Sequence, residues 1–191
     1  ECSRILNLNN DDLIIDIGSN DGNLLSNFKE NHRVLGITPE EIGKLAIERG
    51  IPTIIDYFTK SVVEKVKKEF GEAKIISATN VFAHIDNVNQ ITELILNLLH
   101  DDGVFISESH YLLPLIETLQ YDTIYHEHLR YYSLNSLKYL FEQHGLEIFH
   151  VKEIPSHGGS IRVYCARKGN YKKKESVNDQ LNKEIDIEED E

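Results

Sequence analysis

The chain has 191 residues, enough for one domain with a sizeable core. Hydrophobic residues make up 40% and charged residues 27%, the balance of an ordinary water-soluble globular domain. The formal net charge of -12 disfavours nucleic acid or an anionic membrane as the main partner, and no apolar run is long enough to span a bilayer. Cys2 and Cys165 are far apart and lie in no C-x-x-C pair, so free thiols in a cytoplasmic protein are expected. The chain starts with Glu and has no secretory signal, which reads as a piece of a longer protein.

In chain order, Leu13–Ile17 is an apolar run broken only by Asp16, the pattern of a buried parallel strand. Gly18 and Gly22 bracket a polar turn, and a helix is expected over Leu24–Glu30. Arg33–Ile37 is a second strand. Thr38-Pro39-Glu40-Glu41 has the form of a helix start, with Thr as cap and Pro in the first helical position, and Gly50 as the stop. Thr53–Ile55 is a third strand, Lys60–Phe70 an amphipathic helix, and Lys74–Ala78 a fourth strand. Val88–His100 reads as a helix, Asp101-Asp102-Gly103 as a turn, and Val104–Ser107 as a fifth strand.

This β-α alternation predicts a doubly wound parallel sheet. It then breaks down. Residues 109–132 are rich in Tyr and His and have no clean period. Ser133 caps a helix that Gly145 stops, and two strands follow at Leu146–Val151 and Ser160–Ala166. Joined through Ser156-His157-Gly158-Gly159, they are expected to be antiparallel neighbours. Residues 168–191 are charged and read as a helix in need of a partner, or as disorder.

Ligands of open α/β sheets bind beyond the carboxyl ends of the strands. That selects Gly18–Gly22, Thr38, Asp56-Tyr57, Asn80–His84 and Glu108–His110, among which His84, Glu108 and His110 stand out. An acid followed by spaced glycines, Asp16-x-Gly18-x-x-x-Gly22, resembles the nucleoside-binding loop of S-adenosylmethionine (SAM)-dependent methyltransferases of the Rossmann-like class. Asn20 occupies the middle glycine of the dinucleotide pattern, which argues against a nicotinamide enzyme. Thr38 stands where an acid is expected to hold the ribose, leaving Glu40 as a substitute.

Tyr121–Tyr132 holds two imidazoles among phenols and carboxylates, a mixture suited to proton transfer near neutral pH. In a strand His126 and His128 would share a face, which leaves a metal pair open; in a helical turn Tyr125 and His128 would share one instead.

Ile17–Gly22, Asn80–His84, Tyr125-His126-Glu127-His128 with Tyr131 and Ser133, and His157-Gly158-Gly159-Ser160-x-Arg162 occur in that order. Over residues 10–170 they resemble the sugar C-methyltransferases that act on nucleotide-linked 4-keto-deoxysugars. The resemblance implies a mostly parallel seven-stranded Rossmann-like class I sheet with an antiparallel last strand. It implies SAM as cofactor, held by Asp16, Gly18, Asn20, Gly22, Thr38, Asn80 and Phe82, and a sugar nucleotide as substrate. It makes His128 the base that generates an enolate, oriented or assisted by Tyr125, Glu127 and His84, with no metal in the step. It also implies a domain at residues 1–168, a charged tail at 169–191 that begins a C-terminal substrate domain, and a preceding zinc domain. The alternatives are a non-catalytic nucleoside-binding domain and an NAD(P)-dependent oxidoreductase.

Overall fold

The computed structural model describes residues 5–189. Seven strands form one sheet in the order β3-β2-β1-β4-β5-β7-β6. They are β1 (Leu13–Ile17), β2 (Arg33–Thr38), β3 (Thr53–Ile55), β4 (Ala73–Thr79), β5 (Leu99–His110), β6 (Leu146–Ile154) and β7 (Ser160–Arg167). β1 and β2 pair in parallel, as do β2 and β3, whereas β7 runs antiparallel to both β5 and β6. The helices are α1 (Gly43–Glu48), α2 (Lys60–Glu69), α3 (Val88–Leu98), α4 (Leu112–Glu117), α5 (Leu134–Gln143) and α6 (Glu175–Glu189). Among the described residues no helix is long and apolar enough to cross a membrane.

The chain divides into two compact units. The first holds the residues through Ser77 together with Asn97–Val104. Its core is made by β1, buried along its whole length, by Val34, Leu35 and Ile37 of β2, and by Val62, Val63 and Val66 of α2. Those three valines recur at helical spacing, and Thr59 caps the helix by accepting a hydrogen bond from the Val62 N–H.

Three expectations for this unit are corrected. No α-helix follows Gly22: the segment is a 3-10 turn at Leu25–Asn27 with mixed i−3 and i−4 bonds. Ser26 and Asn27 side chains donate to the Asn23 and Leu24 carbonyls, competing with a regular ladder. The next helix starts at Gly43 rather than at Pro39, without a side-chain cap. Thr38 is used up in β2, and a Cβ on Gly43 would lie 2.8 Å from the Thr38 Cγ2, so the turn before the helix is fixed by close packing. Asp101-Asp102-Gly103 lies within β5 and α3 ends at Leu98. Lys74 on β4 pairs with Asp102 at 2.5 Å and holds that stretch extended.

The second unit holds Ala78–Leu96 and Phe105–Glu191. Its centre is an aromatic cluster in which Phe82, Phe105 and Phe141 lie 5.6–5.9 Å apart, ring to ring. Ser133 caps α5 as expected, in a reciprocal box with Ser136. The tail is helical: α6 buries Val177 completely and Gln180 nearly so. Lys183 of α6 pairs with Glu153 at 2.8 Å, and Ser176 bonds His150 at 2.8 Å. Cys165 is a buried free thiol in β7, while Cys2 lies outside the described residues.

Candidate active site

The loop after β1 is a tight turn in which Gly18, Asn20 and Gly22 all take left-handed conformations, with φ of 73°, 48° and 76°. The Gly18 and Ser19 N–H groups both donate to the Ile37 carbonyl of β2. A Cβ on Gly22 would lie 2.8 Å from Ile51 Cδ1 and 2.9 Å from Ala46 Cβ, so this glycine lets the loop close onto α1. Asp16 is 4% exposed and accepts a 2.7 Å bond from the Ser77 hydroxyl. Burial pushes its carboxyl up to about 7, against the lowering effect of that bond.

Thr38 is 1% exposed, and its hydroxyl accepts from the Glu40 N–H of its own turn at 3.4 Å. Glu40 and Asp56 present exposed carboxylates just after β2 and β3, the latter accepting from the Tyr57 N–H. A nucleoside offers hydroxyl and amine donors. The exposed Glu40 and Asp56 carboxylates could accept from such groups, whereas the buried Thr38 hydroxyl already accepts within its own turn.

In the second unit a cavity of about 620 Å³ is lined by Asn80, His84, Ser109, His110, Gln120, Asp122, Thr123, Tyr125, His128 and His157, among others. Tyr125 and His128 meet because the chain turns between them: the His128 N–H donates to the Tyr125 carbonyl at 3.1 Å. Their rings are 4.4 Å apart, and the Tyr125 hydroxyl lies 3.1 Å from His128 Nε2. The turn throws His126 outward, so it lines no part of the cavity. The His84 and His110 rings stand 5.0 and 5.9 Å from the His128 ring, and Tyr131 stands 5.7 Å from it.

Burial lowers the proton affinity of His128, and the neighbouring imidazoles of His84 and His110 lower it further. The neutral ring is thereby favoured near pH 7. Among the described residues no group of three His, Cys, Asp or Glu side chains is arranged to hold a metal.

The other expected residues fall out unevenly. His84 Nδ1 donates to the Glu127 carbonyl at 2.9 Å, so Glu127 enters through its main chain while its side chain is exposed. Asn80 is left-handed at φ 55° and reaches the cavity wall. Phe82, expected among the residues that hold SAM, is 0% exposed in the aromatic core, and its carbonyl accepts from the Tyr132 hydroxyl. Glu108, marked in the sequence by its place after the expected strand Val104–Ser107, lies within the longer β5 and is paired with Arg162 across β5–β7 at 2.6 Å.

Several contributors carried no sequence signal of their own. Arg130 donates to the Ile85 and Asp86 carbonyls, and the Leu129 N–H to the Ala83 carbonyl, clamping the Tyr125–His128 turn onto the His84 turn. Gln120 donates to the Gly158 carbonyl at 2.7 Å and so supports left-handed His157 at the wall.

The methyltransferase-domain model matches residues 2–151. The chain belongs to that methyltransferase family. This sets the nicotinamide alternative aside. The chain is 38% identical over 167 residues to C-methyltransferase NovU of Streptomyces niveus, a match covering 86% of this chain and 40% of NovU. It thus spans about two fifths of that relative's length.

Solved structures share the fold at low identity. A SAM-dependent methyltransferase from Clostridium acetobutylicum superposes with a TM-score of 0.67 at 14% identity, over 88% of each chain. Magnesium protoporphyrin IX methyltransferase ChlM from Synechocystis, determined with bound SAH, gives 0.63 at 11% identity, over 83% of this chain and 75% of that one. The methyltransferase therefore has the Rossmann-like, SAM-dependent methyltransferase fold, with β7 as the antiparallel last strand.

Proposed function

We propose that this methyltransferase is a cytoplasmic, SAM-dependent C-methyltransferase. Its substrate is a nucleotide-linked deoxysugar, methylated on the carbon next to the keto group. The observation that carries the proposal is the Tyr125 hydroxyl 3.1 Å from His128 Nε2 in a cavity where the imidazole is kept neutral. A ketone acidifies its neighbouring carbon, and a neutral imidazole is the base for that proton. Nδ1 of His128 is shut away from solvent, which leaves Nε2 as the working atom.

As Nε2 takes the proton, the Tyr125 O–H is free to turn to the developing enolate oxygen. His84, bound to the Glu127 carbonyl, holds the turn in place. SAM, when bound, supplies an electrophilic methyl on a sulfonium. Gly18, Asn20 and Gly22 shape the turn it would sit on, with Glu40 and Asp56 as acceptors for its hydroxyl and amine groups. The assignment of residues 1–168 as the methyltransferase domain, with 169–191 leading toward a substrate-binding domain and a zinc domain preceding, belongs to the same proposal.

Incubation of a nucleotide-linked 4-ketosugar in deuterated water tests the base without any methyl transfer. Wild type should exchange the proton beside the keto group, and His128→Ala should not. Exchange that survives in His128→Ala but stops in His84→Ala would move the base to His84. Calorimetric titration of SAM tests the loop, and Gly18→Val should abolish binding in a folded protein.

A further inference from the structure

The Glu184 carboxylate, on α6, accepts three hydrogen bonds from two other segments. Tyr111 donates its hydroxyl at 2.9 Å, and the Leu134 and Asn135 N–H groups donate at 2.5 and 2.9 Å. The second pair belongs to the first turn of α5, whose N–H groups have no partners within the helix. Ser133 serves Ser136 through its side chain and Leu137 through its carbonyl, which leaves Leu134 and Asn135 for Glu184. The negative charge also suits that end of the helix dipole.

Both segments lead directly into the histidine cavity. Tyr111 is fully buried, follows His110 in the chain and accepts a 2.8 Å bond from Gln180 of α6. The Leu112 N–H donates to the Tyr132 carbonyl at 2.9 Å, so the two segments are also tied to each other. Tyr132 follows Tyr131, whose ring contacts His128 and whose hydroxyl donates to the Thr123 carbonyl. Lys183 and Ser176 tie α6 to β6 instead.

We propose that Glu184 is a positioning residue: through Tyr111 and the first turn of α5 it fixes the segments that carry His110 and His128, so that α6 is a working part of the cavity unit. This deepens the proposed function, and for turnover it rests on that reading.

The test is the titration of the His128 imidazole followed by NMR in the free protein, with the signal assigned by its loss in His128→Ala. No cofactor or substrate is needed. In wild type His128 should titrate below an ordinary histidine. In Glu184→Ala the freed segments should separate the rings, and the midpoint should move back up toward the ordinary value. Tyr111→Phe removes only the phenol link and should shift it the same way by less.

Lys183→Ala, which removes a tie of α6 to β6 and leaves the Glu184 bonds in place, should leave the midpoint unchanged. With a sugar nucleotide, Glu184→Ala should lower kcat at least tenfold while SAM affinity holds. If Glu184→Ala does not fold, Glu184→Gln and Tyr111→Phe decide. An unchanged His128 midpoint in folded Glu184→Ala or, failing that, in both of the other variants overturns the proposal, because a residue that only stabilises α6 would not move it. A wild type that transfers no methyl to any sugar nucleotide defeats the proposed function, and the titration still decides the role of Glu184.

Discussion

The turn after β1 and the cavity around His128 are both polar and both lie beyond strand ends, yet they are built on opposite principles. The turn is made from five consecutive residues, and its shape is set by left-handed backbone at Gly18, Asn20 and Gly22. Two of its N–H groups are committed to Ile37, and Gly22 serves the packing of Ala46 and Ile51. The cavity takes its rings from four separate stretches, near residues 84, 110, 128 and 157, and its chemistry lies in how the first three alter one another. A local motif can be damaged by one added carbon. A cluster of distant side chains is damaged by anything that lets its segments drift.

The largest expected effect falls on the cavity. His128→Ala should cut solvent exchange of the proton beside the keto group by about 10²–10⁴-fold, the usual contribution of a general base. SAM affinity measured by calorimetry should be unchanged. A parallel loss of SAM affinity would mean that the two regions are not separable in the way described.

Next in size is Asp16. Its folded-state carboxyl near 7 lies above the unfolded value near 3.8, so the folded state binds the extra proton between those limits. The stability it contributes is full below about pH 4 and is lost as pH rises through about 7. At ~1.4 kcal/mol per pKa unit the loss is on the order of 4 kcal/mol. Asp16→Asn should therefore unfold with a flatter pH dependence than wild type and gain relative to it between pH 5 and 8. Denaturant curves at the two pH values check this, and parallel wild-type and variant profiles would contradict it.

Gly22→Ala should cost roughly 1–3 kcal/mol, from a left-handed alanine pressed against Ala46 and Ile51. It should leave the NMR titration of His128 untouched, because it strains the other unit. The smallest effect belongs to His126, which the turn points away from the cavity: His126→Ala should change exchange and stability by no more than about 0.5 kcal/mol. A loss comparable to that of His128→Ala would reverse the choice between the two imidazoles.

What the sequence determined by itself was local. Apolar runs marked β1 to β4, Ser133 marked the start of α5, and the Asp16–Gly22 spacing marked the turn, because neighbours in the chain dictate strand, cap and turn geometry. The tyrosine-histidine stretch was legible as chemistry, but period alone left strand and turn open. The bond from the His128 N–H to the Tyr125 carbonyl decided for the turn.

Tertiary structure alone decided the rest. Phe82 looked available after β4 and is the centre of an aromatic core. Thr38 looked like a helix cap at the position where a ribose-holding acid was expected, and it is buried against Gly43 at the end of β2. The tail read as a helix in need of a partner, or as disorder, yet Glu184 reaches Tyr111, 73 residues earlier in the chain. Burial and long-range hydrogen bonds are sums over residues distant in sequence. A side chain's neighbours, and with them its proton affinity and its role, are therefore fixed only when the chain has folded.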